Sequence, residues 1–286
     1  MEKQMEYAVY GAFIGDLLGS HYEGPVDKFK DMDGDIFLFR DSEFTDDTKM
    51  TCAVASGIMF LGDYKNPFTK YGKIAAKVGR EMKYIGRKYP GRFGGGMWNW
   101  ILSDSMEPYY SFGNGACMKL GPIGLWAKSR REAKLLAKAV TSLTHNHPIA
   151  LYYANIVASL VYEAKTAKTM DKMVKVLREE SVKGLTEAIL GMDLEELHLK
   201  YKFDVTCQGS VPQALYCFLS STSFEDCLRR CLYVGGDTDT IAACALSIAA
   251  PFYGDEQVRG FVEDLSCFLP DDLRSILERF SSRYPK

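Results

Sequence analysis

The sequence predicts an all-α fold in a single compact domain spanning residues 1–286, on three observations. Apolar residues recur at helical spacing through most of the chain, strand signals are thin, and no Ser/Pro/Gly-rich linker or internal repeat divides it. The run Tyr7–Gly19 is moderately apolar, interrupted by Asp16, and gives way to a helix exit at Glu23-Gly24. Ile36-Phe37-Leu38-Phe39 is the best short strand candidate. Thr45-Asp46-Asp47-Thr48 opens a helix carrying Met50, Ala53, Val54 and Ile58. Two glycine-rich segments, Arg92-Phe93-Gly94-Gly95-Gly96 and Ser111-Phe112-Gly113-Asn114-Gly115, read as loops, the second leading into a helix over Ala116–Lys128. Trp98 and Trp100 beside the first loop are expected to pack against neighbouring helices.

Further helices are expected over Ala133–Leu143, Ile149–Ala164 and Val211–Leu219. Met170, Met173, Val174 and Leu177 fall on one face at i, i+3, i+4 and i+7. Ser223 with Asp226 makes a capping-box-like start ahead of Leu228, Cys231 and Leu232. Ile241–Tyr253 has no ionic side chain and is rich in Ala, so it should be buried. Pro270 opens a last helix with Leu273, Ile276, Leu277, Phe280 and Tyr284 on one side.

Composition excludes some function classes. With 35 Lys and Arg against 37 Asp and Glu, the net charge of −2 offers no nucleic-acid footprint. The short basic run Lys128-Ser129-Arg130-Arg131 reads as a solvated helix start. No stretch reaches the apolar length of a membrane span, and no cleavage site follows the N-terminal run. The eight cysteines form no C-x-x-C pair, and most lie in apolar helical patterns, which suits a reducing compartment. A cytoplasmic monomer is expected.

Chemistry concentrates in two acidic clusters far apart in sequence, Thr45-Asp46-Asp47-Thr48 and Asp237-Thr238-Asp239-Thr240. Alone, the first is what a helix cap looks like, because Asp and Thr oxygens accept from first-turn N–H groups. The second weakens that reading. It sets two acids and two hydroxyls in four positions behind Gly235-Gly236, at the start of a helix expected to be buried, with no Lys or Arg in the local stretch. Buried acids without a cationic partner are costly unless they coordinate metal, and hard oxygen ligands suit Mg²⁺ or Mn²⁺. One site from both clusters requires the fold to join two helix N-termini. The Ser111–Gly115 loop, at a helix start, offers backbone N–H groups for phosphate, and Phe112 an aromatic face for a base. Metal, phosphate loop and stacking face together suggest a nucleotide-like ligand.

These residues resemble the ADP-ribosylglycohydrolase family, which includes dinitrogenase reductase-activating glycohydrolase. The likeness runs from Gly11 to about Gly254 and keeps the family's motif order. Gly15-Asp16-Leu17-Leu18-Gly19 with Glu23 resembles the first motif, and Phe44-Thr45-Asp46-Asp47-Thr48 the first metal motif. Ser111-Phe112-Gly113-Asn114-Gly115-Ala116-Cys117-Met118 resembles the ligand loop, Thr144-His145 a downstream motif, and Gly236-Asp237-Thr238-Asp239-Thr240 the second metal motif. The resemblance implies an all-α fold with two Mg²⁺ (or Mn²⁺) ions at the bottom of a cleft. Thr45, Asp46 and Asp47 would hold one ion, Asp237 and Thr240 the other, and Asp239 would bridge. Glu23 would contact the second ion or gate the substrate from a mobile segment. Ser111, Phe112, Gly113, Asn114 and Gly115 would bind the diphosphate and adenine, with His145 near the ligand.

The implied activity is removal of ADP-ribose from a modified protein side chain, by water attack at the anomeric carbon with Asp47 or Glu23 taking the proton. Hydrolysis of small ADP-ribosyl conjugates is the rival enzymatic reading. A non-catalytic binding or structural relative is the rival from another class, against which the intact acidic motifs speak. Lys119 stands where members often have Arg, and a point charge there replaces a planar fork. The turn His145-Asn146-His147-Pro148 reads as capping rather than as a metal pair.

Overall fold

The computed structural model describes residues 5–24, 28–60 and 67–284. Fifteen α-helices lie in the described part: α1 (Gly11–Gly19), α2 (Asp46–Met59), α3 (Pro67–Lys88), α4 (Gly95–Leu102), α5 (Gly121–Trp126), α6 (Arg130–Thr141), α7 (Pro148–Ala164), α8 (Met170–Glu180), α9 (Leu185–Leu190), α10 (Leu194–Lys200), α11 (Cys207–Leu219), α12 (Phe224–Val234), α13 (Thr238–Tyr253), α14 (Asp255–Leu265) and α15 (Asp271–Ser281). No helix among the described residues is long and apolar enough to cross a membrane.

The axis of the fold is α13, buried from Thr238 through Pro251 and packed against α1, α7, α11 and α12. Its Ala-rich sequence permits this, because small side chains let neighbouring helices close in from several sides. The closest neighbour is α1. Gly11, Gly15 and Gly19 recur every fourth residue and form one ridge of that helix. A Cβ on Gly15 would stand 2.5 Å from the Ala242 carbonyl carbon, and one on Gly19 would stand 2.7 Å from the Asp239 Cα. Only hydrogens fit there, so the glycines set the helix separation that brings Asp16 and Glu23 alongside the start of α13.

Side-chain caps fix several helix starts. Ser129, Thr169, Asp193, Thr206 and Ser223 each accept a first-turn N–H with a side-chain oxygen. Such caps are worth about 1 kcal/mol each. Pro270 stands as the N-cap of α15, and α15 buries Leu273, Ile276, Leu277 and Phe280.

Three local expectations are corrected. Ile36–Phe39 forms no strand, and the described residues form only two isolated bridges, Gly24 with Gly236 and Gly113 with Thr206. The helix expected over Ala116–Lys128 is a 3₁₀ turn at Asn114–Ala116 followed by α5 from Gly121. Pro122 is the cause: it lacks an N–H and disfavours helix before it, which fits the first turn of a new helix and not the middle of an old one. Gly95 and Gly96, expected in a loop, form the first turn of α4, where Trp100 is buried and Trp98 stacks on Phe93 at 5.8 Å. All eight cysteines are free, and all but Cys267 are buried.

Candidate active site

The N-termini of α2 and α13 meet at the floor of a cleft of about 670 Å³. What frees their acids is a carboxylate from a third helix. Asp16, fully buried on α1, accepts from the Thr45 and Thr48 backbone N–H groups at 2.8 and 3.0 Å. It also accepts from the Thr45 and Thr48 hydroxyls at 2.7 and 2.5 Å. Asp16 therefore satisfies much of the first turn of α2 from outside. Thr45 is the N-cap, its hydroxyl accepting from the Asp47 N–H at 3.4 Å, so the helix-cap reading holds for Thr45. Asp46 and Asp47 have no such duty and are left for other work.

The two sequence clusters touch directly. The Thr240 hydroxyl donates to Asp47 Oδ2 across the helix junction at 3.1 Å. Carboxylate oxygens of Asp16, Asp47 and Asp239 come within 4.8 Å of one another, and so do those of Glu23, Asp237 and Asp239. Asp239 belongs to both groups. Asp46 lies beside them, half-buried in the cleft wall.

Burial and mutual repulsion push these acids upward. Burial first, and then the charge of Asp16, lifts Asp46 to about 7, and burial lifts Asp237 to about 6. Asp16, Asp47 and Asp239 are also raised, Asp47 and Asp239 strongly, by burial above all. None of Asp16, Asp47, Asp237 and Asp239 has an ion pair with Lys or Arg among the described residues. Asp47 Oδ1 is buried without a hydrogen-bond partner. An unpartnered carboxylate oxygen among crowded acids fits a hard divalent cation such as Mg²⁺ or Mn²⁺.

Around this floor the structure distributes the other sequence-predicted residues unevenly. Ser111, Gly113, Asn114, Gly115 and His145 line the cleft with Glu23, Asp237, Asp239 and Thr240. Asn114 turns its side-chain amide to Asp237 and to the Ser210 hydroxyl, and thereby holds an acid of the floor. Within the loop, Gly113 N–H donates to Ser111 Oγ, Asn114 N–H to the Val205 carbonyl, and Ala116 N–H to the Gly113 carbonyl. Those three amides are spent on the protein itself. Phe112 lies outside the cleft lining, exposed and tilted against His147 at 5.3 Å, with the ring of Tyr110 also on His147.

His145 is buried, and its Nδ1 shares a hydrogen bond with the Thr144 hydroxyl at 2.7 Å. Desolvation, then the nearby Lys119 charge, holds its pKa well below the usual value, so the ring is neutral. A Cβ at Gly115 would stand 3.1 Å from His145 Nε2, a tight contact that the glycine avoids. Lys119 is fully buried, and its ammonium donates to the Gly115 carbonyl. Burial lowers it to about 8. It supports the loop from beneath and does not line the cleft.

Four contributors have roles that the sequence reading did not assign. Asp16 stands in the first motif as an interruption of an apolar run, and its tertiary place shows it capping α2. Phe203 and Val205, exposed and apolar, line the cleft from the segment after α10. That segment is stitched to the Ser111–Gly115 loop by the Asn114–Val205 bond and by Cys207 N–H on the Phe112 carbonyl. Arg92 lines the cleft as well and pairs with Glu23. Glu23 indeed leaves a helix that ends in a 3₁₀ turn at Ser20–Tyr22, but the cation beside it comes from a loop 69 residues away.

Comparison with known proteins agrees with this geometry. The ADP-ribosylglycohydrolase family profile matches residues 3–285. ADP-ribosylhydrolase ARH3 of Xenopus tropicalis is 25% identical, over 88% of this chain and 87% of its own. The human ADP-ribosylhydrolase ARH3 is 26% identical, over 87% and 85%. A solved structure described as an ADP-ribosylglycohydrolase-related protein complex superposes with a TM-score of 0.70 at 19% identity, covering 98% of both chains, and shows the same fold. With a profile match over nearly its whole length and the acids of both sequence motifs gathered at one cleft floor, the chain belongs to the ADP-ribosylglycohydrolase family.

Proposed function

We propose that this protein is a divalent-cation-dependent hydrolase that removes ADP-ribose from a modified protein side chain. The observation that carries the reading is the sharing of Asp239 by two carboxylate groups at the cleft floor. That arrangement suits two adjacent Mg²⁺ or Mn²⁺ ions, one toward Asp16 and Asp47 and one toward Glu23 and Asp237. When bound, the ions would polarise a water and lower its pKa.

The chain's own residues do the rest. Glu23 lines the cleft whereas Asp47 lies beneath its surface, which favours Glu23 as the group that takes the water proton. The water oxygen bonds to the anomeric carbon as the bond to the acceptor atom breaks, and the proton taken by Glu23 passes to the acceptor as it departs. Positive charge developing on the sugar ring is stabilised by the acids below it. The cleft volume lies within the ordinary range for small-molecule sites, about 300–1,000 Å³. Phe203 and Val205 supply an apolar wall against which adenine can lie, and the neutral His145 and Ser111 supply hydrogen bonds nearby.

The test is turnover of ADP-ribosylated arginine and serine peptides and of small ADP-ribose conjugates, with Mg²⁺, with Mn²⁺ and with chelator. Peptide hydrolysis that chelator abolishes is expected. Turnover of small conjugates alone would move the substrate to metabolites, and no turnover under any condition would leave a non-catalytic binder.

A further inference from the structure

We infer that Arg92 is a positioning residue that clamps the Glu23 carboxylate at the edge of the second acidic group, held in place by a strained backbone. The inference rests on the role given to Glu23 above.

Among the described residues only two that are not glycine have positive φ, Arg92 at +60° and Tyr110 at +56°, and both belong to loops beside the cleft. A side chain in this left-handed region costs free energy that glycine avoids, and such strain persists where surrounding contacts over-determine it. The contacts here are identifiable. Gly91 precedes with φ of +92°, and its carbonyl accepts from Lys49 Nζ at 2.9 Å. The same ammonium lies over the Phe93 ring at 5.1 Å and the Phe44 ring at 5.7 Å, while Phe93 stacks on Trp98. Lys49 is buried in α2, one turn beyond Thr45, so the helix that carries Asp46 and Asp47 also pins the chain on both sides of Arg92.

The strained position aims the guanidinium across the cleft. It bonds Glu23 and also lies 3.4 Å from Glu43. Glu23 is otherwise fixed through its neighbour, whose Gly24 N–H donates to the Gly236 carbonyl at 2.8 Å, one residue before Asp237. Backbone bridge and guanidinium together bring the Glu23 carboxylate within 4.8 Å of Asp237 and Asp239. An ordinary surface ion pair would need neither a left-handed residue nor a buried lysine behind it. A planar fork also fixes a carboxylate's orientation, which a lysine cannot do.

The substitution Arg92→Gly removes the guanidinium and relaxes the backbone at once. The melting temperature should stay the same or rise, while kcat falls by about tenfold to a hundredfold, the scale of a misplaced reacting group. Mn²⁺ titration by calorimetry should show one binding step weakened and the other kept. In a Glu23→Gln background, adding Arg92→Gly should cost nothing further, because Arg92 acts through Glu23. Arg92→Lys should fall between parent and glycine variant in kcat. A multiplicative loss in the double variant would overturn the clamp in favour of direct substrate contact. A lowered melting temperature with parental kcat would overturn it in favour of a structural role. Should the parent hydrolyse no ADP-ribosyl conjugate, the functional reading fails separately, and the Mn²⁺ titration still decides: unchanged affinity in Arg92→Gly overturns the clamp.

Discussion

The floor of the cleft and its rim are built on opposite principles. The floor is made of helix N-termini, is almost wholly buried, and its polar groups are locked to each other across α1, α2 and α13. The rim is made of loops, keeps Phe203, Val205 and Phe112 exposed, and holds the two left-handed non-glycine residues. Helix ends give fixed directions, so they suit charges that must converge on small ions. Loops joined by single bridges, such as Gly113 with Thr206, can differ in side chain without disturbing that convergence. On the proposed function, the floor would set the reaction type and the rim would read the identity of the conjugate.

This division predicts graded effects. The largest should follow Asp239→Asn, which removes one ligand charge from both carboxylate groups and little volume. Activity should fall by about 10²–10³-fold or more, the scale on which a transition-state charge contact is lost. Calorimetry should find both Mg²⁺ steps weakened, and a loss confined to one step would break the shared-ligand view.

Asp16→Ala comes next, and its stability readout tests the cap on α2. It leaves four donors from Thr45 and Thr48 without their acceptor and should cost about 1–3 kcal/mol of stability. Chemical denaturation checks that figure. Unchanged stability would mean that water or a neighbour replaces the cap.

A third expectation concerns pH. Asp237 at about 6 and Asp46 at about 7 hold protons in the folded metal-free protein that the unfolded chain, near 3.8, has released. Between these limits the unfolded state binds fewer protons, so metal-free stability should fall as pH rises from about 4 to 7. Cations bind the deprotonated acids, and their stabilising effect should grow over the same interval. Melting temperatures with Mg²⁺ and with chelator should separate increasingly from pH 5 to 7.5. A constant separation would show that the floor does not hold the ions.

The smallest effects belong to the rim. Phe203→Ala should weaken ADP-ribose binding by about 1–3 kcal/mol if adenine lies on that ring. Phe112→Ala, outside the cleft lining, should change it by less than about 0.5 kcal/mol. Calorimetry giving the reverse order would return the adenine to Phe112.

The same division decides what could be read from the amino-acid order. The acids of the floor sit in two tetrapeptides beside helix starts, so local patterning sufficed to pick them out. Asp16 belongs to the same floor but caps a helix that begins 30 residues later, and only packing of α1 on α13 reveals it. Arg92 and Phe203 occupy segments whose composition says little, because their importance lies in what the loops face. The helix starts at Thr45 and Ser223 were legible from their caps, whereas the expected starts at Ala133 and Val211 fall inside α6 and α11, and the helix expected over Ala116–Lys128 runs through Pro122, which opens α5.

The glycine ridge of α1 ties ion chemistry to a packing distance. Gly19 lies where a methyl group would press on the backbone of Asp239, and Gly15 meets the carbonyl of Ala242 one turn further along. The spacing between the carboxylates of Asp16 and Asp239 is thus gauged by the thickness of a hydrogen atom between two helices, much as a caliper is set by its stop. An alanine at Gly15 touches no ligand and no substrate, yet it would open the jaws. On the proposed function, ion affinity would be a readout of core packing, and a screen scored on Mn²⁺ binding should return residues of the apolar interior along with the acids.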